Sequence, residues 1–149
     1  MNTRQFLYLS LLSVAATALL IVSCQNKETD AVLEEGSFKL IQTQIFDKSC
    51  ATSGCHASEQ DASFKQHGLI LTSNVSYDNL FNKLPKNSAA KTDSLRLITP
   101  GNVAKSFLFT KINCSAASLL SGKQYGNPMP LGANGLSIGE IDFIRKWIE

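Results

Sequence analysis

The sequence predicts an all-α fold with long loops, on three observations. Apolar residues recur at helical spacing in several stretches. β-Branched alternating runs are few, and no βαβ rhythm is present. The connecting stretches are rich in Ser, Gly, Asn and Pro. Taken in order, Ser37 can N-cap a helix in which Phe38, Ile41 and Ile45 fall at i, i+3 and i+7, with Phe46 beside them. That helix runs straight into Cys50. Residues 57–75 read as irregular, with a short extended stretch at Gly68–Leu71. Tyr77, Leu80, Phe81 and Leu84 predict a second helix, ended by Pro85. Residues 86–102 read as a loop closing on the turn Thr99-Pro100-Gly101-Asn102. Val103, Phe107, Leu108 and Ile112 predict a third helix, with Lys105 and Lys111 on its wet side. Residues 114–135 form a long loop of the kind that is usually functional. Ser137 and Glu140 then make a capping box for a last helix, with Ile138, Ile141, Ile144 and Ile148 on one stripe and Phe143 and Trp147 adjoining.

The chain has 149 residues, 44% of them hydrophobic and 17% charged, which fits one domain and excludes general disorder. Lys and Arg number 14 against 12 Asp and Glu, spread along the chain, so no basic patch for nucleic acid exists. Glycine-rich phosphate loops, GxSxG turns and HExxH pairs are all absent.

The first residues carry one charge, Arg4, and none occurs from Phe6 to Val22. Such a stretch is either a short membrane helix or a signal-peptide core. It ends Ile21-Val22-Ser23-Cys24, which resembles the bacterial lipobox. The resemblance implies that residues 1–23 are a lipoprotein signal peptide and that Cys24 becomes the lipidated first residue. An uncleaved anchor helix is the alternative. Residues 24–36 then read as the lipidated cysteine and a flexible acidic tether, ahead of a domain at 37–149. Either way the domain stands outside the inner membrane, in the bacterial cell envelope. Gln25, where Asp often marks inner-membrane retention, points to the outer membrane, periplasmic or surface-facing.

The sharpest local feature is Cys50-Ala51-Thr52-Ser53-Gly54-Cys55-His56. Two cysteines followed at once by histidine is the arrangement for covalent haem attachment. Two thiols add to the vinyl groups as thioethers, and the adjacent imidazole reaches the iron. The usual spacing places two residues between the cysteines, and here there are four. Ser53-Gly54 supplies the flexible residues such a loop needs. The competing readings are a Cys50–Cys55 disulfide and half of a zinc site completed by Cys114 or His67.

Past Met1 the only methionine is Met129, set in Asn127-Pro128-Met129-Pro130 within the long polar loop. A core-filling methionine more often lies on an apolar helix stripe. Proline-bracketed, this one suits a thioether held out as a second axial ligand, and His/Met ligation raises the reduction potential. His67 is the other candidate for that position, though a surface or cofactor-edge role suits it better. The Pro100 carbonyl is a candidate acceptor for His56 Nδ1. Tyr125 and Asn127 lie close enough in sequence to tune the Met129 loop. Trp147 and Cys114 read as core residues.

Together these segments resemble small c-type cytochrome domains of exported bacterial proteins. The shared elements are Ile45-Phe46 ahead of Cys50, Cys55-His56, Gly68-Leu69-Ile70-Leu71, Pro100–Leu108, Met129-Pro130 and Leu136–Ile148. They cover essentially all of residues 37–149, in order. The resemblance implies a cytochrome c-like helical domain with long loops around one covalently bound haem c. It makes Cys50 and Cys55 the thioether ligands, His56 the proximal ligand and Met129 the distal one. The implied activity is electron transfer, not enzyme chemistry, with redox proteins as partners and the membrane reached through Cys24. A non-redox lipoprotein with a zinc-bound or disulfide-bonded Cys50/Cys55/His56 cluster, serving as an interaction module, is the second class. A third keeps haem without Met129 coordination.

Overall fold

Helical backbone is already in place at residue 37, so Ser37 lies inside the first helix and is not its cap. The computed structural model describes residues 37–113, 125–132 and 135–149. The first helix, α1, spans residues 37–49, with a π-helical middle at Gln42–Phe46 and a last turn at Asp47–Ser49. Its stripe of Ile41, Ile45 and Phe46 is buried, as the spacing predicts. The wide turn begins at a buried polar residue. Gln42 Nε2 donates to Asp47 Oδ1 at 2.6 Å and to the Leu71 carbonyl at 2.9 Å, while Gln42 Oε1 accepts the Ser76 hydroxyl at 2.5 Å. All three bonds satisfy groups that burial would otherwise penalise.

Two short helices occupy stretches expected to be irregular. They are α2, Ala62–His67, and α4, Ser88–Thr92. The first ends on Gly68 at φ 62°, whose N–H returns to the Phe64 carbonyl. The second starts at Asn87, whose side chain accepts from Ala90 N at 2.8 Å. Neither carries an apolar stripe, which is why periodicity passes over them.

The second expected helix is shorter than its pattern. It is α3, Ser76–Leu80. The chain leaves it because the Leu80 carbonyl takes the Ile98 N–H at 3.1 Å and the Ile98 carbonyl takes the Asn82 N–H at 3.0 Å. Asn82 turns at φ 57°, Leu84 is left 62% exposed, and Pro85 becomes a core residue. The third expected helix breaks at Ser106 into a 3₁₀ turn, Val103–Lys105, and α5, Phe107–Ile112. Ser106 is fully buried. Its Oγ accepts the Thr99 N–H and donates to the Asn102 carbonyl, both at 2.9 Å, so the Pro-Gly-Asn turn folds onto it.

The last helix, α6, is Ile138–Ile148, and its capping box forms as predicted. Ser137 Oγ accepts the Glu140 N–H at 3.2 Å, and Glu140 Oε2 accepts the Ser137 N–H at 2.8 Å. Ile144 and Ile148 are buried, but Ile138 in the first turn is 88% exposed and leaves the stripe. At the other end Gly101 N–H donates to the Ile148 carbonyl at 2.7 Å, satisfying a helix-terminal acceptor. The rings of Phe38 and Trp147 lie 5.1 Å apart, while Glu140 acts electrostatically on Cys50. The beginning of α1 therefore meets the end of α6, and the two helices run in opposite directions.

One core joins α1, α3, α5 and α6 with Leu69, Leu71 and Ile98, and a smaller one gathers Ala90, Leu95, Phe107 and Tyr125. Among the described residues the fold is all-α, with no β-strand and only two isolated bridges, Phe81 with Ile98 and Arg96 with Ser106. No described helix is long and apolar enough to cross a membrane. The expected signal peptide, Cys24 and its tether, and Cys114 lie outside the described residues.

Gln42→Ala removes the partner of one buried hydroxyl and one buried carbonyl and is expected to cost about 2 kcal/mol. A urea melt should show this as a lower midpoint at unchanged slope. Adding Ser76→Ala should cost less than the two single losses together, because the orphaned hydroxyl is gone.

Candidate functional site

The site begins where α1 runs out. Cys50 N–H and Ala51 N–H both reach the Phe46 carbonyl, at 2.9 and 2.7 Å, which turns the chain out of the helix. The next residues form a tight loop closed by Cys55 N–H to the Thr52 carbonyl at 3.0 Å and His56 N–H to the Cys50 carbonyl at 3.2 Å. Gly54 sits at φ 81°, a conformation that a residue with a Cβ avoids, so the looped-out segment needs its glycine. The loop thus carries Cys50 and Cys55 on one turn, with His56 directly after it. Both thiols are free, Cys50 half-buried and Cys55 exposed.

A residue that the sequence reading passed over organises this loop. Asp61 accepts the N–H of Gly54 at 2.9 Å through Oδ1, and the N–H groups of Ala57 and Ser58 at 2.9 and 2.8 Å through Oδ2. These bonds, led by Gly54 and Ser58, hold its carboxyl below the ordinary value of 3.8. An Asp just before a helix is a readable sign of a cap, but here the carboxylate turns back to the preceding loop and leaves α2 without a side-chain cap.

His56 is held at two points by one short extended segment. Its carbonyl accepts the Leu71 N–H at 2.8 Å, and its Nδ1 lies 3.0 Å from the Leu69 carbonyl. Since a carbonyl can only accept, Nδ1 carries the proton and the Nε2 lone pair is left outward. The described residues give Nε2 no hydrogen-bond partner. The carbonyl that orients His56 is therefore that of Leu69, where the sequence suggested Pro100. Pro100 instead belongs to the turn below the end of α6.

Cys50 is pushed up to about 12 by burial first, then by Cys55 and Glu140. At neutral pH it is a protonated thiol. The ring of His67 stands 6.1 Å from that of His56. Burial, first of all, and the nearby ammonium groups of Lys111 and Lys86 push His67 below its ordinary value.

Met129 is held at the end of α5. Its N–H donates to the Lys111 carbonyl at 2.8 Å, at the last turn of α5. Lys111, expected on the wet side, is half-buried and turns inward. Its Nζ donates to the Tyr125 carbonyl at 3.1 Å and to the Asn127 carbonyl. Tyr125 is buried, its hydroxyl on Asp93 and its ring edge-on to Phe107 at 5.4 Å. Tyr125 and Asn127 are thus tied to the loop that presents Met129, while Trp147 packs against the core as expected.

The side chains that can hold a cofactor or metal here are the Cys50 and Cys55 thiols, His56 Nε2, His67 and the Met129 thioether. Among the described residues no group of three or more His, Cys, Asp or Glu side chains converges on one point. The chain matches no family model, no curated protein and no solved structure.

Because the folded carboxyl of Asp61 titrates below 3.8, its contribution to loop order is complete above that value and is lost as pH falls further. The amide resonances of Gly54, Ala57 and Ser58 should therefore move together in a single titration below pH 3.8. Separate titrations, or one above that value, would contradict the shared carboxylate. Asp61→Asn, which cannot accept through both side-chain atoms, should raise amide exchange at Ala57 and Ser58 at neutral pH.

Proposed function

We propose that residues 37–149 form a c-type cytochrome domain, lipid-anchored through Cys24 in the bacterial envelope, that carries single electrons between redox proteins. The observation that carries this reading is the pairing of two free thiols with an imidazole whose Nδ1 is bound to the Leu69 carbonyl and whose Nε2 has no partner among the described residues. That donor set fits haem c. Thioether formation uses two thiols, and a haem iron uses one imidazole nitrogen oriented through the other. Leu131 and Ile138, 66% and 88% exposed, offer apolar surface of the kind a macrocycle covers.

Cys50 and Cys55 would hold the haem covalently, with His56 and Met129 as its axial ligands. Haem held this way supplies reversible one-electron chemistry with both axial positions filled, so the domain is read as a carrier and not an enzyme. The chain's own part is to hold His56 against the Leu69–Leu71 segment and to present Met129 from a loop clipped to α5. The near-neutral formal charge of +2 implies docking through local patches instead of long-range steering.

Expression of the full chain beside a cytochrome maturation system should give a coloured protein with sharp haem c bands on reduction. A colourless protein, with Cys50 and Cys55 joined in a disulfide or holding zinc, would sink the reading. Within it, Met129→Ala should give a high-spin or ligand-swapped iron and a lower potential, while an unchanged spectrum would clear Met129 of ligation.

A further inference from the structure

We propose that Lys111 is the positioning residue for Met129. Its backbone carbonyl holds the Met129 N–H while its ammonium gathers the carbonyls just upstream, so that residues 125–129 wrap around one cation. The inference rests on the reading of Met129 as an axial ligand and names what sets that ligand's place.

Four contacts carry it. The Lys111 carbonyl belongs to the last turn of α5, where helix acceptors lack intrahelical partners, and it takes the Met129 N–H at 2.8 Å. The side chain of the same residue turns back, and Nζ donates to the carbonyls of Tyr125 and Asn127. Nζ also lies 5.9 Å from the centroid of the Phe107 ring, within reach of a cation–π attraction. Between the two acceptors, Gly126 turns at φ 80°, and a Cβ placed there would stand 3.6 Å from Nζ. The loop is thus shaped around the ammonium. The upstream end is anchored by Tyr125, buried among Ala90, Leu95 and Phe107. Met129 is the downstream end.

The cost of this arrangement shows that it is more than a surface lysine lying down. Lys111 is half-buried, and burial pushes its ammonium below the ordinary value. Among the described residues no carboxylate pairs with it, so the ammonium is satisfied by backbone carbonyls of a single loop. Lys105, near the start of the same helical segment, is exposed, and its ammonium donates to the Asp93 carbonyl at 3.1 Å; among the described residues it makes no hydrogen bond to residues 125–129 themselves. It serves as the control.

The test uses the full chain, purified after maturation, and compares Lys111→Met, Lys111→Arg and Lys105→Met. Lys111→Met keeps the length of the side chain and removes its charge. Exchange of the Met129 amide should quicken by about tenfold or more, as expected on losing bonds to a charged group. The ferric protein should bind added imidazole about tenfold more tightly, because the displaced ligand is held less well. Its sulfur-to-iron charge-transfer band should weaken, while covalent haem content stays constant. Lys111→Arg should recover most of the wild-type behaviour, and Lys105→Met should match wild type throughout. Wild-type exchange and imidazole affinity in Lys111→Met would overturn the proposal. If that variant fails to fold, Gly126→Ala decides the matter, since a φ of 80° strains a residue with a Cβ, so the turn that aims the Tyr125 and Asn127 carbonyls at the ammonium should relax and both readouts should shift in the same direction. If the wild-type protein carries haem but shows no sulfur band, the ligation reading has failed. Met129 amide exchange alone then judges Lys111.

Discussion

The grip of Leu69 and Leu71 on His56 is the constraint from which the rest of the structure follows. Two backbone groups, one residue apart on each side of Ile70, fix both the carbonyl and the ring of the histidine. That segment is in turn locked from both faces. Its side chains Leu69 and Leu71 belong to the main core, Gln42 takes the Leu71 carbonyl, and Asn79 takes the Ile70 carbonyl at 2.9 Å. The segment that holds the imidazole is thus bound by Gln42 of α1 and Asn79 of α3. Core packing and ligand orientation are one set of contacts here, not two.

Around that fixed point, two loops are ordered by complementary electrostatics. In the cysteine loop a carboxylate gathers three N–H groups, from Gly54, Ala57 and Ser58, onto Asp61. In the methionine loop an ammonium gathers two carbonyls, from Tyr125 and Asn127, onto Lys111. In each loop a charged side chain supplies hydrogen bonds that a helix or sheet would otherwise provide. The glycine in each, Gly54 at φ 81° and Gly126 at φ 80°, lets the backbone curl toward its charge.

Much of this was legible residue by residue. The stripe Ile41, Ile45 and Phe46, the pair Ile144 and Ile148, and the Ser137–Glu140 box depend on local spacing, and they fold as that spacing predicts. The helices α2 and α4 escaped because they lack stripes, and the pattern from Tyr77 to Leu84 overshot because Phe81 and Asn82 are claimed by pairing with Ile98. Lys111 read as solvated because a helical wheel knows only its own helix. The loop that covers it joins from residues 125–129. For the same reason Ile138 sat on a plausible stripe yet lies in solvent.

The sequence by itself determined the helical class, the places where the first and last helices lie, and the chemical inventory of two thiols, an adjacent imidazole and a proline-bracketed thioether. These depend on residue identity and on separations of a few positions, which the chain carries wherever it goes. Only the tertiary structure decided which carbonyl accepts the His56 Nδ1 proton in a hydrogen bond, which carboxylate closes the cysteine loop and which cation the methionine loop encloses. Leu69, Asp61 and Lys111 meet their partners only after the chain has turned back on itself. A hydrogen bond of about 3 Å has no signature in residues that stand apart in sequence.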